Sequence, residues 1–583
     1  MQELVISHVL AGKDALVLMP TGGGKSLCFQ VPALCMEGLT LVVSPLVSLQ
    51  RDQVLALRAN GVSAAVLNST LSPEESEAVL SDIAHSKLKL LYISPERLFS
   101  GSTSHLLTRW KVGLVAIDES HCISFWGHDF RPEYTQLGRL RVLLPRVPLI
   151  ALTATADPAI QRDILSQLSI DEASVFKSSF DRPNLRLAVQ SGQKKLERLL
   201  AFLKSHPGQP GIVYCLSRVS TERLASDLRE RGYKAEPYHA GLEAEARHRV
   251  QDSFLKDEIA IVCATVAFGM GIDKSNVRWV VHWNLPKNLE GFYQEIGRAG
   301  RDGLPADTLL FYSYADIAQQ LAFIKQVNPN RQHLLEAKLE RIKQYAEAKT
   351  CRRRILLNYF GETLDKDCGN CDCCENPPET FDGRIIAQKF LSAMYRTEGK
   401  ATLRQCALIL RGSHAQEITE PGWHNLKTFG VGKELGFSEW MEYGAQLINS
   451  GYGAIAYDQG MAVRPTALSD LILKANNPVP LVKFVEFGSK KSATSHPKEI
   501  SAAERDQDLL DQLKALRKNL AAQRKLPAYI IFSDKTLNDM AAKLPKTPQE
   551  FLQVHGVGEA KAQSFGPIFL QVIQDWRILK GRF

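Results

Sequence analysis

The sequence lacks any long apolar run. No stretch of about 18 consecutive apolar residues occurs among its 583 residues, so we expect no helix that spans a membrane. The first residues, MQELVISHVLAGKD, carry Glu3 and no basic leader, which argues against a secretory signal. Neither sign of charge dominates, because the formal net charge is +8, a mild basic excess that suits a polyanionic partner. These absences predict a cytoplasmic protein with no membrane partner.

Cysteine is not scarce, but its eleven copies are unevenly spread. Six are scattered, which in a chain without a secretory leader indicates reduced, buried thiols. The other five are Cys351, Cys368, Cys371, Cys373 and Cys374, and four of them give a single cysteine followed by CxxCxxC. Four thiolates favour a tetrahedral zinc ion, and an iron–sulfur cluster is the alternative. We expect the role of this metal to be structural.

Apolar runs predict the fold of the first 310 residues. Nine candidate strands form two series and are separated by helix-length segments, which is typical of parallel sheets covered on both faces. They lie at residues 15–19, 39–45, 88–95, 114–119 and 148–155, and then at 211–215, 259–265, 277–284 and 308–313. Two series predict two α/β lobes, joined near residues 178–186.

The segment ALVLMPTGGGKSLCFQ has the order strand, glycine-rich loop and helix that a phosphate-binding loop requires. The strict pattern GxxxxGK[ST] places a glycine at position 19, where this sequence has Met19. Backbone N–H groups of the three glycines can approach a pyrophosphate, and the helix adds partial positive charge. Lys25 would then reach the β- and γ-phosphates, and Ser26 would bind Mg²⁺. The alternative is an ordinary glycine-rich turn.

Two further requirements of nucleotide hydrolysis follow along the chain. LVAIDESH ends an apolar run with Asp118, which would hold Mg²⁺, and Glu119, which would polarise the attacking water. QEIGRAGRDG supplies Arg298 and Arg301, three apart on one predicted helix face with Gln294, to stabilise charge on the transferred phosphoryl group. Each pair alone has a simpler alternative, a solvent-facing turn or two surface arginines.

Aromatic residues recur in HCISFWGHDFRPEY, directly after the two acids. Trp126, Phe130 and Tyr134 are four residues apart, with His128 and Arg131 between them. Such a segment can stack on bases and pair with phosphates, which would couple a nucleic-acid strand to hydrolysis. Periodic aromatics also form buried cores, and the residues alone favour that alternative.

Taken in order, MPTGGGKS, DESH, LTATA and QEIGRAGRDG resemble the superfamily 2 helicases, and the details resemble the RecQ family of DNA helicases. The finer likeness lies in SPLVSLQRDQV, SPERL, HCISFWGHDFRPEY, FDRPN, YHAGL, ATVAFGMGIDK and the cysteine cluster. It spans essentially the whole chain and is most like bacterial members. Superfamily 2 relaxes the first glycine of the phosphate loop, which accounts for Met19, and Ser120 replaces the usual alanine of the acid box.

The resemblance implies an α/β fold with two RecA-like parallel-sheet lobes, a small zinc-binding helical module, a winged-helix domain and a helical HRDC-like DNA-binding domain. The expected bounds are 1–179 for lobe 1, 180–312 for lobe 2, 313–381 for the zinc-binding module, 382–487 for the winged helix, 488–503 for a linker and 504–583 for the HRDC-like domain.

The resemblance also implies a role for each site residue. The catalytic residues are Lys25, Asp118, Glu119, Arg298 and Arg301. The nucleotide-binding residues are Gln2, Thr21, Gly22, Gly23, Gly24, Lys25, Ser26 and Gln294. Magnesium is held by Ser26 and Asp118, and zinc by Cys351, Cys368, Cys371 and Cys374, which leaves Cys373 as an extra thiol. The nucleic-acid contacts are Trp126, His128, Phe130, Arg131, Thr265 and Tyr529.

Gln2 corresponds to the glutamine that reads adenine in the family.

The implied activity is ATP-dependent 3′–5′ unwinding of duplex DNA by translocation on single-stranded DNA, in DNA repair and recombination. The implied cofactors are ATP, Mg²⁺ and Zn²⁺, and the implied location is cytoplasmic and nucleoid-associated. Single-stranded and forked duplex DNA are the implied partners, together with the acidic tail of single-strand-binding protein. Two alternatives stay open: an RNA helicase or double-strand translocase, and a catalytically weak, zinc-containing DNA-binding scaffold.

Overall fold

The first lobe is built on a parallel sheet of seven strands, β1 (Ala15–Leu18), β2 (Leu39–Val43), β3 (Ala64–Leu67), β4 (Leu90–Ile93), β5 (Val112–Ile117), β6 (Leu149–Thr153) and β7 (Val175–Lys177). Their order across the sheet is β3-β4-β2-β5-β6-β1-β7. The helices of this lobe are α1 (Gln2–Leu10), α2 (Leu27–Cys35), α3 (Val47–Ala59), α4 (Pro73–Ala84), α5 (Pro95–Leu98), α6 (Gly101–Leu107), α7 (Leu140–Leu143) and α8 (Pro158–Leu168).

The second lobe has a parallel sheet of six strands, β8 (Leu185–Ser191), β9 (Gly211–Tyr214), β10 (Ala235–Tyr238), β11 (Ile261–Ala264), β12 (Trp279–His282) and β13 (Ala306–Tyr312). Their order is β10-β11-β9-β12-β13-β8. Its helices are α9 (Lys195–Lys204), α10 (Arg218–Arg229), α11 (Ala244–Leu255) and α12 (Leu289–Ile296). Both sheets bury their central strands on both faces, and the prediction of two α/β lobes is confirmed.

The nine predicted strands are the nine interior strands of the two sheets. The four strands that the sequence did not predict, β3, β7, β8 and β10, are the four edges. An edge strand has a neighbour on one side only, so its sequence need not be a continuous apolar run. β10, for example, reads AEPY, and only Ala235 of the four is buried.

Four helices follow the second lobe, α13 (Tyr314–Ile324), α14 (Pro329–Glu347), α15 (Arg352–Tyr359) and α16 (Asp372–Glu375), and the cysteine cluster lies among the last two. Next comes a small mixed region with its own core. Its elements are β14 (Thr380–Asp382), α17 (Arg384–Arg396), α18 (Leu403–Arg411), α19 (Gln416–Thr419), α20 (Phe437–Asn449), β15 (Gly453–Ala456), β16 (Ala462–Pro465), α21 (Ala467–Leu473) and β17 (Pro480–Val482). β15 and β16 form a hairpin, and β14 pairs with β17.

The chain divides into two units, Met1–Val485 and Glu486–Phe583. The second unit is helical, with helices Gln507–Gln523, Asp534–Lys543, Pro548–Leu552 and Glu559–Leu579 around an aliphatic and aromatic core that includes Phe532 and Trp576. The computed structural model describes residues 1–68, 71–127, 129–268, 274, 276–484, 507–523, 531–532 and 534–579. Within these ranges, every helix is too short or too polar to cross a membrane.

The topology of the first sheet brings three loops together. Strands β5, β6 and β1 are neighbours and parallel, so the loops after their carboxyl ends meet at one edge of the sheet. These loops carry the predicted phosphate loop after β1, the two acids after β5 and the segment around Thr155 after β6. The fold therefore places the predicted nucleotide-binding residues of the first lobe side by side.

Candidate functional site

The phosphate loop connects β1 to α2. Gly22 and Gly24 adopt the left-handed region, with φ of +83° and +77°, which a side chain rarely tolerates. Lys25 turns back over the loop, and its Nζ donates a 3.3 Å hydrogen bond to the Met19 carbonyl. Desolvation lowers the pKa of Lys25, although the Glu119 and Asp118 carboxylates oppose that shift. Ser26 Oγ accepts a 3.0 Å hydrogen bond from Gln53 Nε2 of α3.

The two acids follow β5 directly. Burial, and then the neighbouring Glu119 carboxylate, raises the pKa of Asp118 to about 7. Glu119 itself adopts a left-handed backbone, with φ of +47° and ψ of +45°, and its N–H donates to Asp118 Oδ1 at 3.0 Å. A non-glycine residue in this conformation is uncommon and tends to occur at functional sites. The strained turn directs the two carboxylates into one cleft with Lys25.

His121 connects the acids to the end of β6. Its Nδ1 lies 3.2 Å from Glu119 Oε2 and 2.9 Å from Thr153 Oγ1. Thr155, two residues further on, accepts a 3.0 Å hydrogen bond from Gln294 Nε2 of α12. A polar path therefore runs from Glu119 through the segment after β6 to the second lobe.

A cavity of about 520 Å³ joins the two lobes. Its lining includes Thr21, Gly22, Gly24, Lys25, Ser26, Asp118, Glu119 and His121 from the first lobe, and Gln294, Arg298 and Arg301 from the second. The cavity thus collects the phosphate loop, both acids and both arginines. A ligand in it would contact the two lobes at once.

Arg298 and Arg301 reach this cavity from turns, and the prediction that they share one helix face is wrong. Helix α12 ends at Ile296, before either arginine. The segment GRAG that follows contains Gly297 and Gly300, and Gly300 has a φ of +57°, which is incompatible with a continuing α-helix. Close packing joins this turn to the phosphate loop, because a Cβ added to Gly22 would lie 3.2 Å from Arg301 Cγ.

The sequence predicts no site role for Arg182, although its motif FDRPN is one of those that resemble the family. Its guanidinium donates to the Thr21 carbonyl at 3.2 Å and to the Gly297 carbonyl at 3.3 Å. It also donates to the Ala299 and Gly300 carbonyls, at 2.9 and 2.8 Å. One side chain at the join between the lobes therefore fixes the phosphate loop against the arginine-bearing turn.

Gln2 lies on α1 and contacts the phosphate loop. Its side-chain Nε2 donates a 3.0 Å hydrogen bond to the Gly23 carbonyl. A Cβ added to Gly24 would lie only 2.1 Å from the same Nε2, so the loop and the glutamine are tightly packed. Gln2 therefore packs against the predicted phosphate loop, and its role in reading adenine stays a prediction.

The aromatic segment after the acids divides into a buried part and a loop. Tyr134 belongs to the core, and its hydroxyl donates to the Asp118 carbonyl at 3.2 Å. Trp126 and Phe130 each lie edge-on to Phe125, with ring centroids 5.5 and 5.7 Å apart. These two half-buried rings remain candidates for contact with bases, and Trp126 also packs against the core that contains Tyr134.

The remaining predicted nucleic-acid contacts are Arg131, Thr265, His128 and Tyr529. Arg131 donates a 3.0 Å hydrogen bond to the Pro45 carbonyl and lies 3.5 Å from Asp129. Thr265 follows β11 and is half-buried, and its N–H donates to the Tyr238 carbonyl at 3.1 Å. His128 and Tyr529 lie outside the described residues.

The predicted zinc ligands form one cluster. The Sγ atoms of Cys351, Cys368, Cys371 and Cys374 all lie within 4.8 Å of one another, and Cys368 Sγ is 3.9 Å from Cys374 Sγ. Backbone N–H groups of Cys368 and Asn370 approach Cys351 Sγ and Cys368 Sγ at 3.4 Å, as suits thiolate sulfur. Cys373 lies outside this group, and its thiol points to the Ala348 carbonyl at 3.7 Å. Four sulfurs at these distances fit a tetrahedral zinc ion.

The DEAD/DEAH box helicase family matches residues 1–163, and the helicase conserved C-terminal domain matches residues 194–303. The fold and the site therefore belong to a helicase of the DEAD/DEAH box class. A RecQ zinc-binding domain matches residues 314–375, an RQC domain residues 377–490 and an HRDC domain residues 506–573. These matches confirm the predicted fold class, including the winged-helix and HRDC regions.

Proteins with similar sequences identify the family within this class. The chain is 45% identical over 581 residues to the ATP-dependent DNA helicase RecQ of Haemophilus influenzae, covering 99% of this chain and 94% of that protein. It is 46% identical over 578 residues to the protein of that name from Pasteurella multocida, covering 98% and 91%. The Bacillus subtilis RecQ is 37% identical over 568 residues, covering 97% and 94%. The chain therefore belongs to the RecQ family of helicases, as the sequence predicted.

Among solved structures, the chain resembles that of another helicase only distantly. The structure of Mycobacterium smegmatis helicase Lhr bound to ssDNA and AMP-PNP matches this chain with a TM-score of 0.44 and 19% sequence identity. The matched region covers 61% of this chain and 59% of the Lhr chain.

Proposed function

We propose that this chain is an ATP-dependent DNA helicase that moves 3′–5′ along single-stranded DNA and unwinds duplex DNA during repair and recombination. The single observation that carries the proposal is the cavity shared by the two lobes. It places Lys25, Asp118 and Glu119 opposite Arg298 and Arg301, so a nucleotide bound there bridges both sheets.

In this proposal each residue of the cavity has a role. Lys25 and the loop glycines hold the phosphates of ATP, Glu119 orients the attacking water, and Arg298 and Arg301 stabilise charge on the γ-phosphoryl group. Ser26 and Asp118 are the residues that would hold Mg²⁺, which neutralises phosphate charge when bound. Gln2 and Gln294 would bind the rest of the nucleotide from either side of the phosphate loop.

We propose that movement on DNA follows from the contacts that both lobes make with ATP. ATP draws the lobes together because its phosphates need groups from both, and loss of the γ-phosphate lets the lobes separate. Trp126, Phe130, Arg131 and Thr265 would grip the strand, with His128 and Tyr529 as further contacts. Tyr134 joins the aromatic segment to the Asp118 backbone, so a strand on that segment can influence the acids.

The remaining domains would extend this activity. We propose that the domains have the bounds predicted from the sequence. Zinc would be held by Cys351, Cys368, Cys371 and Cys374. Forked duplex DNA would be bound by the winged helix and the HRDC-like domain. Docking of the acidic tail of single-strand-binding protein on the winged helix is a further proposal. The two alternatives, an RNA helicase or double-strand translocase and a catalytically weak scaffold, find less support, because the three relatives described above are DNA helicases.

The test is unwinding of tailed duplexes of both polarities by the full chain, with single-stranded RNA as competitor. We expect ATP-dependent unwinding of the 3′-tailed substrate, strong stimulation of ATP hydrolysis by single-stranded DNA, and little competition by RNA. Stimulation by RNA would support the RNA helicase, and no stimulated hydrolysis would support the scaffold. Unwinding of only the 5′-tailed duplex would contradict the proposed polarity.

A further inference from the structure

A second group of histidine, cysteine and aspartate side chains follows the two acids in the chain and is separate from the four-cysteine cluster. It consists of His121, Cys122 and Asp129, whose donor atoms all lie within 4.8 Å of one another. Cys122 Sγ is 3.8 Å from His121 Nε2 and 3.8 Å from Asp129 Oδ2. A tetrahedral ion with bonds of about 2.3 Å to sulfur and about 2.1 Å to nitrogen or oxygen holds such atoms about 3.3–3.6 Å apart. The two distances to Cys122 Sγ exceed that range by a few tenths of an ångström, so small side-chain movements would bring the three donors to the geometry of a bound ion.

The orientation of the histidine supports the same conclusion. A histidine that binds a metal usually donates a hydrogen bond from its other ring N–H to a carboxylate, a backbone carbonyl or a water molecule, which fixes the tautomer and the direction of the ring. His121 Nδ1 lies 3.2 Å from Glu119 Oε2 and 2.9 Å from Thr153 Oγ1, and Nε2 faces Cys122. His121 is thus held from behind by a carboxylate and directs its second nitrogen to the thiol and the acid.

The group is also reachable from solvent. His121 and Cys122 are buried, whereas the Asp129 side chain is 43% exposed. Both His121 and Asp129 line the cavity that we assign to the nucleotide. An ion can therefore enter from that cavity without opening the core of the first lobe.

We propose that His121, Cys122 and Asp129 form a second metal site, which takes a thiophilic divalent cation such as Zn²⁺ and lowers the activity of the enzyme. Nitrogen, sulfur and carboxylate ligands together favour such an ion over Mg²⁺. Binding displaces the Cys122 thiol proton to the buffer, and a water molecule would complete four ligands.

Two contacts explain why the ion would inhibit. The ion would hold His121, whose other nitrogen lies against Glu119, the proposed water-orienting residue. It would also take Asp129 away from Arg131, 3.5 Å distant, which we propose contacts DNA. The inhibitory part of the inference rests on the proposed function, and the binding part does not.

Cobalt binding tests the site without any need for activity. The full chain, with its four-cysteine cluster loaded with zinc, is titrated with Co²⁺ while thiolate-to-cobalt absorption is recorded. We expect one further equivalent of Co²⁺ with a thiolate band in the wild type and in Cys406→Ala, which removes a buried cysteine that belongs to neither of the two metal-binding groups, and none in Cys122→Ala. Asp129→Asn, a change at a half-exposed position, should weaken this binding at least tenfold.

The absence of an added thiolate band in the wild type, or its persistence in Cys122→Ala, would overturn the site. Zinc-buffered ATPase measurements then test inhibition: Zn²⁺ should lower the DNA-stimulated rate of the wild type and of Cys406→Ala, and Cys122→Ala should resist it. If the wild type has no DNA-stimulated hydrolysis at all, the proposed function fails while the cobalt result still decides the site. Equal zinc inhibition of wild type and Cys122→Ala would overturn the inhibitory role.

Discussion

Arg331 of α14 donates a 2.9 Å hydrogen bond to the carbonyl of Gly127, in the loop that carries the aromatic residues. The same guanidinium lies over the rings of Phe125 and Phe130, at 5.4 and 5.2 Å from the ring centroids. Because α14 follows the second lobe and the loop belongs to the first, this arginine ties the shape of the loop to a helix outside both sheets.

Replacement of Arg331 should loosen the loop without touching the nucleotide cavity. We expect Arg331→Ala to reduce the stimulation of ATPase by single-stranded DNA about tenfold and to leave the unstimulated rate unchanged, because two cation–π contacts and two carbonyl hydrogen bonds are lost. Arg331→Lys keeps the charge but cannot form the same fork, and should be intermediate. Arg404→Ala, which removes a similar arginine–aromatic contact on Phe437, is the matched control and should behave as wild type.

The arginine-bearing turn should matter for the rate rather than for nucleotide binding. We expect Arg301→Lys to lower the kcat for ATP hydrolysis at least about 10²-fold, because a lysine cannot present the planar fork to the γ-phosphoryl oxygens. Nucleotide affinity, measured by fluorescence titration, should change less than about threefold. Arg231→Lys, at an exposed position after α10, serves as the control. A large loss of affinity with unchanged kcat would contradict this role.

A buried ion group links the lobes to α14 and should give a pH-dependent stability. Lys338 pairs with Glu290 of α12 and lies 3.6 Å from Asp157, the residue that caps α8. One lysine cannot balance two buried carboxylates, and burial, partly offset by Lys338, raises the pKa of Asp157 above its usual range. The folded protein therefore retains the Asp157 proton at pH values where the unfolded chain has lost it.

The sign of the effect follows from that difference in proton binding. The contribution of Asp157 to stability is complete below the unfolded pKa of about 3.9 and is lost as pH rises through the raised folded pKa. Asp157→Asn keeps a capping oxygen but cannot ionise, so its Tm relative to wild type should rise between pH 4 and pH 8. Asp171→Asn, at the exposed cap of the turn Glu172–Ser174, is the matched control. A constant Tm difference for Asp157→Asn would refute the prediction.

The cysteine cluster should hold its metal through four thiols and not five. We expect Cys371→Ser to lose the tightly bound zinc and to lower the Tm of the full chain, because metal binding of this type contributes about 10–16 kcal/mol to local folding. Cys373→Ser should retain the metal, since its thiol lies toward Ala348 and outside the cluster. Metal content after dialysis against a weak chelator, together with thermal melts, distinguishes the two. Loss of zinc from Cys373→Ser would show that the cluster exchanges ligands.

The arginine pair illustrates a limit of periodic patterns. Residues three apart in QEIGRAGRDG fit a helix, but the glycines within the pattern end α12 at Ile296, and both side chains reach the cavity from turns. Their function did not depend on the helix, because the requirement is only that both guanidinium groups face the phosphate loop. Arg182 shows the converse, since a single arginine in a connecting segment carries no periodic signal, yet it contacts four carbonyls across the lobes.

The amino-acid sequence by itself determined the interior strands, the phosphate loop, the acid pair and the four-cysteine cluster. Each of these depends on residues close in the chain, where spacing and burial leave a local record. Only the tertiary structure decided the edge strands, the shared cavity and the contact of Arg331 with the aromatic loop. Those features depend on which loops meet at the carboxyl edge of the sheet and on contacts between distant segments, which no short window of sequence contains.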